Sequence, residues 1–280
     1  MIGGQDLAID CDWARQELVG FIRGTLAKAG FSRAVLGVSG GIDSALVCYL
    51  AAEALGPSNV LALTMPYASS SAESYADAMA VISATGVAHQ HVEITPMVEP
   101  LFAALPDMDR RRKGNAMARM RMIVLYDRSE AFQGLVLGTG NKTEVLLGYS
   151  TLHGDAACAL APIGDLYKTQ VRQLAAALGI PERIRQKPPT ADLWPGQTDE
   201  GELGLTYELA DQILFSLFER GLSPQEVVAD GYPEEQVRRV TTLVRRSQYK
   251  RCLPPIAKIS RCTVGYEILP SPAGLWPGWQ

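Results

Sequence analysis

Ala34-Val35-Leu36-Gly37-Val38-Ser39-Gly40-Gly41-Ile42-Asp43-Ser44 is the stretch that decides the fold. Residues 34–38 are a short apolar run bounded by glycine and turn residues, the pattern of a buried strand. Residues 39–43 read as a turn, and the apolar sequence 44–55 reads as a helix. Two consecutive glycines let the backbone turn tightly and approach a ligand closely. The free N–H groups and positive dipole end of the following helix favour a phosphate. Ser39 and Ser44 add hydroxyl donors. Asp43 would repel a bare phosphate, and a Mg²⁺ ion shared between a carboxylate and phosphate oxygens explains its presence. The alternative is a structural Gly-Gly turn with Asp43 and Ser44 capping the helix. No Gly-Lys-Ser/Thr follows, so this is not a Walker A loop. The spacing also lacks the Gly-x-Gly-x-x-Gly dinucleotide fingerprint.

Outward from this unit the same alternation continues. Leu18, Ile22 and Leu26 repeat at i+4 and place a helix before the first strand, with Gly30 after its end. Residues 60–65, 87–94 and 135–138 read as further strands, and 72–84, 97–105 and 115–132 as helices. Strands alternating with helices predict an α/β fold, a doubly wound parallel sheet with flanking helices. Beyond Leu137 no strand is evident. Helices are expected at 169–178, 205–218, 224–229 and 234–245, so the C-terminal part reads as helical. Two polar stretches, 106–114 and 186–201, are long enough to read as functional loops, plausible lids over a site.

The chain has 280 residues with 26 Lys plus Arg against 30 Asp plus Glu, a formal charge of −4. An acidic balance argues against broad nucleic-acid binding, which requires excess positive charge. No run approaches the ~18 apolar residues of a membrane span. The start, Met1-Ile-Gly-Gly-Gln-Asp6, does not read as a signal peptide. The five cysteines, at 11, 48, 158, 252 and 262, form no Cys-x-x-Cys pair and read as free thiols of a cytoplasmic protein.

Ser39-Gly-Gly-Ile-Asp-Ser44 resembles the pyrophosphate-binding signature of the N-type ATP pyrophosphatases. The later motifs narrow the resemblance. In order they are Gly138-Thr-Gly-Asn-Lys-Thr-Glu144, Gly148-Tyr149, Thr151-Leu-His-Gly-Asp155, Pro162-Ile-Gly-Asp-Leu-Tyr-Lys168, Pro189-Thr-Ala-Asp-Leu-Trp194, Gly196-Gln-Thr-Asp-Glu200, Glu202-Leu-Gly204 and Tyr207. This series is similar to the ammonia-dependent NAD synthetase family from about residue 34 to about residue 255. The resemblance implies a single domain over 1–260 with a tail at 261–280. It implies a ligase that amidates nicotinic acid adenine dinucleotide with ammonia through an acyl-adenylate, releasing AMP and pyrophosphate. ATP is then a co-substrate and Mg²⁺ the cofactor. The expected partners are these small molecules and a second copy of the chain, with no nucleic acid and no membrane.

Residue by residue, the resemblance implies ATP contacts at Gly37, Ser39, Gly40, Gly41, Asp43, Ser44, Thr139, Lys168 and Thr190. Asp43 and Glu144 would hold Mg²⁺, Asp43 and Lys168 would be catalytic, and Asn115, Arg119, Asp155 and Lys250 would bind the acid substrate. Glutamine-using relatives add a large N-terminal domain, whereas here 33 residues precede the first strand, so free ammonia is the expected donor. Three departures stand out. Leu152-His153 replaces the family's Lys-Tyr, Tyr249 replaces His before Lys250-Arg251, and Ala68 stands where Arg often follows Met-Pro-Tyr. They leave open a related amidoligase acting on another carboxylate.

Overall fold

The structure, a computed structural model, describes residues 6–190, 192–194 and 196–263. Most of the expected tail, from residue 264 onward, lies outside the described residues. The chain enters through helix α1 (Cys11–Lys28), whose N-terminus is capped by the Asp10 carboxylate accepting from Asp12 N and Trp13 N. Four strands follow, β1 (Ala34–Gly37), β2 (Val60–Thr64), β3 (Ala88–His91) and β4 (Leu135–Val136). They form one parallel sheet in the order β3-β2-β1-β4. Ala34 aligns with Val60 on one side and with Leu135 on the other.

β1 is therefore interior, and its two neighbours are reached by different excursions. Helix α2 (Ile42–Leu55) leads to β2 and α3 (Ala72–Thr85) to β3. The chain then returns through α4 (Thr95–Ala104) and α5 (Arg110–Phe132) to β4, on the far side of β1. Such a reversal opens a crevice beyond the carboxyl ends of β1 and β4. A parallel bridge between Leu137 and Leu160 extends that edge.

The alternation of side chains along the strands separates two cores. Ala34, Leu36, Val60 and Ala62 join one cluster with Ile22, Leu46, Leu50 and Leu174. Val35 and Leu63 point the other way, to Val98, Phe102, Met117 and Val124 of α4 and α5. This is the period-2 pattern of a sheet covered on both faces. Helix α2 is buried on nearly every side, with Ala45, Leu46, Val47, Cys48, Leu50 and Ala51 fully inaccessible. The doubly wound parallel sheet expected from the sequence is present.

The remainder is helical: α6 (Lys142–Leu147), α7 (Lys168–Ala177), α8 (Glu182–Gln186), α9 (Asp199–Leu203), α10 (Tyr207–Phe218), α11 (Pro224–Ala229) and α12 (Glu234–Arg246). α7 packs on α2, and α10 to α12 enclose a separate core around Tyr207, Ile213, Leu214 and Val240. The expected loop at 106–114 is corrected. α5 begins at Arg110, with the Asp109 side chain accepting from Arg112 N at 2.7 Å, so only 105–109 connect it to α4. Its charged residues are good helix formers. Gly114 lies within the helix because Leu193 crosses there, 2.9 Å from where a Cβ would sit. β3 is shorter than the expected 87–94. Among the described residues no helix is long and apolar enough to cross a membrane, and all five cysteines are free thiols.

Candidate active site

The turn after β1 is held by an interlocked set of hydrogen bonds. Ser39 N donates to Ser44 Oγ at 3.2 Å, the two serine hydroxyls lie 3.1 Å apart, and Ser44 Oγ donates to Gly41 O at 3.0 Å. Gly41 N donates to Ser39 Oγ at 3.3 Å. Gly40 adopts φ +83°, and a Cβ there would overlap the backbone carbonyl of Ser74 at the start of α3. Only glycine satisfies both demands. The capping alternative fails. Gly41 is the N-cap of α2 with no side-chain hydrogen bond, and the Asp43 carboxylate turns away from its own helix.

Asp43 faces two residues from distant parts of the chain. Its Oδ1 accepts from Asn141 Nδ2 at 2.9 Å, and its Oδ2 lies 2.5 Å from Lys168 Nζ. Lys168 Nζ is also 3.4 Å from Glu144 Oε1. Asn141 ties the carboxylates together, because its backbone N–H donates to Glu144 Oε2 while its own Oδ1 accepts from Glu144 N. These reciprocal bonds form the capping box that starts α6. Burial pushes the Glu144 carboxyl up, to about 8, against the pull of Lys168. Burial also works against the Lys168 ammonium, but the two carboxylates override it and hold the lysine charged well above its ordinary range. Two hard carboxylate oxygens around one cationic point match the ligands that hold Mg²⁺ beside a phosphate. Among the described residues no group of three or more His, Cys, Asp or Glu is arranged to hold a metal alone, so substrate oxygens would have to complete such a set.

Lys168 is 2% exposed, and its position depends on groups outside its own helix. Its backbone N–H donates to Thr143 Oγ1 at 3.0 Å, and Thr169 N donates to Asp211 Oδ2 at 2.8 Å. Thr143 Oγ1 in turn donates to Asp211 Oδ1 at 2.5 Å. The orphan N–H groups of α7 are thus capped from α6 and α10 rather than by Tyr167. The ammonium also lies 5.0 Å from the centre of the Tyr207 ring. The Tyr207 hydroxyl donates to Asp199 at 3.0 Å, and Tyr149 donates to Asp199 at 3.1 Å and to Glu202 at 2.9 Å.

These groups open into one cleft of about 950 Å³ at the crevice between β1 and β4. Gly37, Ser39, Gly41, Asp43, Ser44, Thr139, Glu144, Lys168 and Thr190 all line it, as do Asn115, Arg119, Asp155 and Lys250. Gly40 is the exception among the expected residues, since it packs against Ser74 instead. Thr190 sits in a segment fastened to the start of α3. Lys187 Nζ donates to Ser74 Oγ and Asp77 Oδ2, both at 3.1 Å, and Ser71 N donates to Asp192 Oδ2 at 3.1 Å. On another wall Thr151 Oγ1 donates to Asn115 Oδ1 at 2.8 Å, and Thr151 N donates to Asp155 Oδ1 at 2.8 Å. Burial raises the pKa of Asp155. Arg119 donates to Leu152 O, and Lys250 Nζ donates to Gly148 O at 2.7 Å and Ser150 O at 2.5 Å.

Sequence reasoning missed several of these residues. Asn141, fully buried between the carboxylates, had a readable signal in Asn-x-x-Glu, the spacing of a capping box. Arg121 does not lie on a solvated helix face: it lines the cleft and donates to Met65 O at 2.9 Å. Asp199 and Tyr207 stand in the family's motif series without an assigned role, and Asp211 had no local signal, because Thr143 and Thr169 lie far from it in sequence.

Comparison with known proteins agrees with this architecture. A family model described as NAD synthase matches residues 14–254. The NH(3)-dependent NAD(+) synthetase of Trichlorobacter lovleyi is 53% identical over 258 residues, 92% of this chain and 94% of that protein. The enzyme of the same name from Fusobacterium nucleatum is 51% identical over 88% of this chain and 95% of its own length. Among solved structures, the NMN synthetase of Francisella tularensis superposes with a TM-score of 0.80 at 31% identity, covering 89% of this chain and 99% of that one. The NH3-dependent NAD synthetase of Campylobacter jejuni gives 0.77 at 30% identity, covering 90% and 100%.

Proposed function

This chain belongs to the NAD synthase family, and on that premise we propose that it amidates nicotinic acid adenine dinucleotide with ammonia, converting ATP to AMP and pyrophosphate. The observation that carries the reading is the convergence of Asp43, Glu144 and Lys168 beside the glycine turn at the mouth of the sheet. A carboxylate resists ammonia because oxide is a poor leaving group. In the first step the substrate carboxylate oxygen attacks the α-phosphorus, the bond to the β-phosphate oxygen breaks, and pyrophosphate leaves with the electron pair. In the second, ammonia attacks the acyl carbon, the carbon–oxygen bond breaks, AMP departs, and the nitrogen gives up one proton.

The first step brings two polyanions together, so positive charge must be in place beforehand. Asp43 and Glu144 would hold a Mg²⁺ ion, which when bound neutralises phosphate charge and polarises the α-phosphoryl group. Lys168 sets a fixed ammonium against the reacting phosphate, and its burial strengthens that effect. The amide of Gly41, with Ser39 and Ser44, receives the departing pyrophosphate, while Gly40 shapes the turn that presents them. Thr139 and Thr190 line the path of ATP, while Asn115, Arg119, Asp155 and Lys250 receive the acid substrate. No nucleophilic side chain is required, and the remaining work is alignment.

A homodimer belongs to the same reading. Ile123 is 53% and Tyr126 41% exposed, on one face of α5, and would be covered by a second copy. We also place the reaction in the cytoplasm, in keeping with five free thiols, and take free ammonia as the nitrogen source. The test is pyrophosphate release from ATP with Mg²⁺ and ammonium, measured with and without the acid dinucleotide while NAD is followed. Matched formation of both products supports the reading. The fold likeness to an NMN synthetase favours one second reading, amidation of the corresponding acid mononucleotide. That reading predicts product from the mononucleotide and little from the dinucleotide. Pyrophosphate release with another carboxylate alone would instead point to a different amidoligase.

A further inference from the structure

The acid substrate carries phosphates as well as a carboxylate, and the cleft wall at the start of α5 gathers positive charge. Arg110, Arg111, Arg119 and Lys250 all line it. Two of these four already serve the protein itself. Arg119 grips Leu152 O, and Lys250 grips Gly148 O and Ser150 O. Their neighbours Arg112 and Lys113 are also engaged, Arg112 with Asp107 at 2.9 Å and Lys113 over the Phe102 ring at 5.3 Å. Among the described residues, the side chains of Arg110 and Arg111 make no hydrogen bond or ion pair. They occupy the first turn of a 23-residue helix, where the dipole opposes cations. Burial disfavours the Lys250 ammonium, and the charge of Arg111 adds to that against the pull of Asp155. Like charges gathered at a cleft wall are relieved when an anion binds between them. A guanidinium fork suits phosphate oxygens better than a point charge does.

We propose that Arg110 and Arg111 grip the phosphate groups of the acid substrate and set its affinity, joining Arg119 and Lys250, whose carbonyl contacts also hold the 148–152 segment in shape. This assignment rests on the reaction proposed above. It gives the helical start of α5, rather than a mobile loop, the task of capturing the second polyanion.

The test replaces both arginines, Arg110→Ala with Arg111→Ala, in the full chain. The KM for the acid dinucleotide is expected to rise about tenfold or more, since charge-assisted hydrogen bonds are lost. The kcat and the KM for ATP should each stay within about threefold, because neither arginine touches the reacting atoms. The dependence of substrate KM on ionic strength should flatten. Arg112→Ala, which removes a neighbouring cation outside the cleft, should leave the KM unchanged. An unchanged KM for the acid in the double variant, or an equal rise for ATP, overturns the assignment. Calorimetric titration with the acid dinucleotide, without ATP, separates this idea from the reaction itself. Binding about tenfold weaker in the double variant supports the arginine site even if the wild type forms no NAD. Equal binding by the two proteins, or none by the wild type, overturns it. Wild-type binding without turnover counts only against the proposed reaction.

Discussion

Lys168 is 2% exposed and locked between Asp43 and Glu144, whereas Arg110 and Arg111, lining the same cleft, are exposed and their side chains make no hydrogen bond or ion pair among the described residues. The first region is held by interlocked contacts: Asn141 reads both carboxylates, and Thr143 and Asp211 cap the helix that carries the lysine. The second relies on charge with little protein structure committed to it. The contrast separates two tasks. A group that must stabilise charge developing at phosphorus gains from being fixed and desolvated beforehand. A group that captures an anion from water gains from reach and an unpaired charge.

The sharpest way to break this comparison is to remove the fixed charges. Asp43→Ala and Lys168→Met should each lower kcat by about 10³ or more, as read by pyrophosphate release. A loss smaller than tenfold in both would mean that the buried triad is structural only. Next in size is Gly40→Ala, which combines a left-handed backbone with overlap of the Ser74 carbonyl. It should destabilise the protein by about 3 kcal/mol and raise the KM for ATP. An unaltered denaturation midpoint would show that the turn is softer than its hydrogen bonds suggest.

Asp211 offers a pH test of the same rigid region. Burial pushes its pKa up from 3.8 to about 6, against the hydrogen bonds from Thr143 and Thr169. Between those values the folded protein keeps a proton that the unfolded chain has released. Stability from this group is therefore full below about pH 4 and declines as the pH rises toward 6, by about 2–3 kcal/mol at most. Asp211→Asn, which mimics the protonated acid, should flatten that decline. Urea unfolding of both proteins at pH 4 and pH 7 measures it, and parallel curves would refute it. The smallest effect belongs to the exposed side. Lys250→Ala removes two carbonyl contacts from a partly exposed lysine and should raise the KM for the acid substrate by only about threefold. A loss of kcat comparable to that of Lys168→Met would erase the distinction between the two regions.

Much of the buried half was legible because its signals are local. A glycine pair between a strand and a helix demands a close approach, and the structure supplies the Ser74 carbonyl that makes it necessary. Continuous apolar runs in β1 and β2 announced buried strands, and the structure covers them on both faces. The start of α5 was misread because a run of arginines resembles a solvated loop, and the cap that begins the helix is the single residue Asp109. Helices α6, α8 and α9 are of five or six residues, too short for a 3.6-residue period to show.

By itself the sequence determined the strand–turn–helix unit, the parallel sheet and, through the ordered series of motifs, the family, because each depends on residue types at short and fixed spacing. Tertiary structure alone decided which charges meet. Asp43 and Lys168 are 125 residues apart, and Thr143 reaches Asp211 across 68. No periodicity encodes such pairs. They come together because the chain leaves β1 on one side of the sheet and returns on the other, so the carboxyl ends of the strands open onto a single cleft.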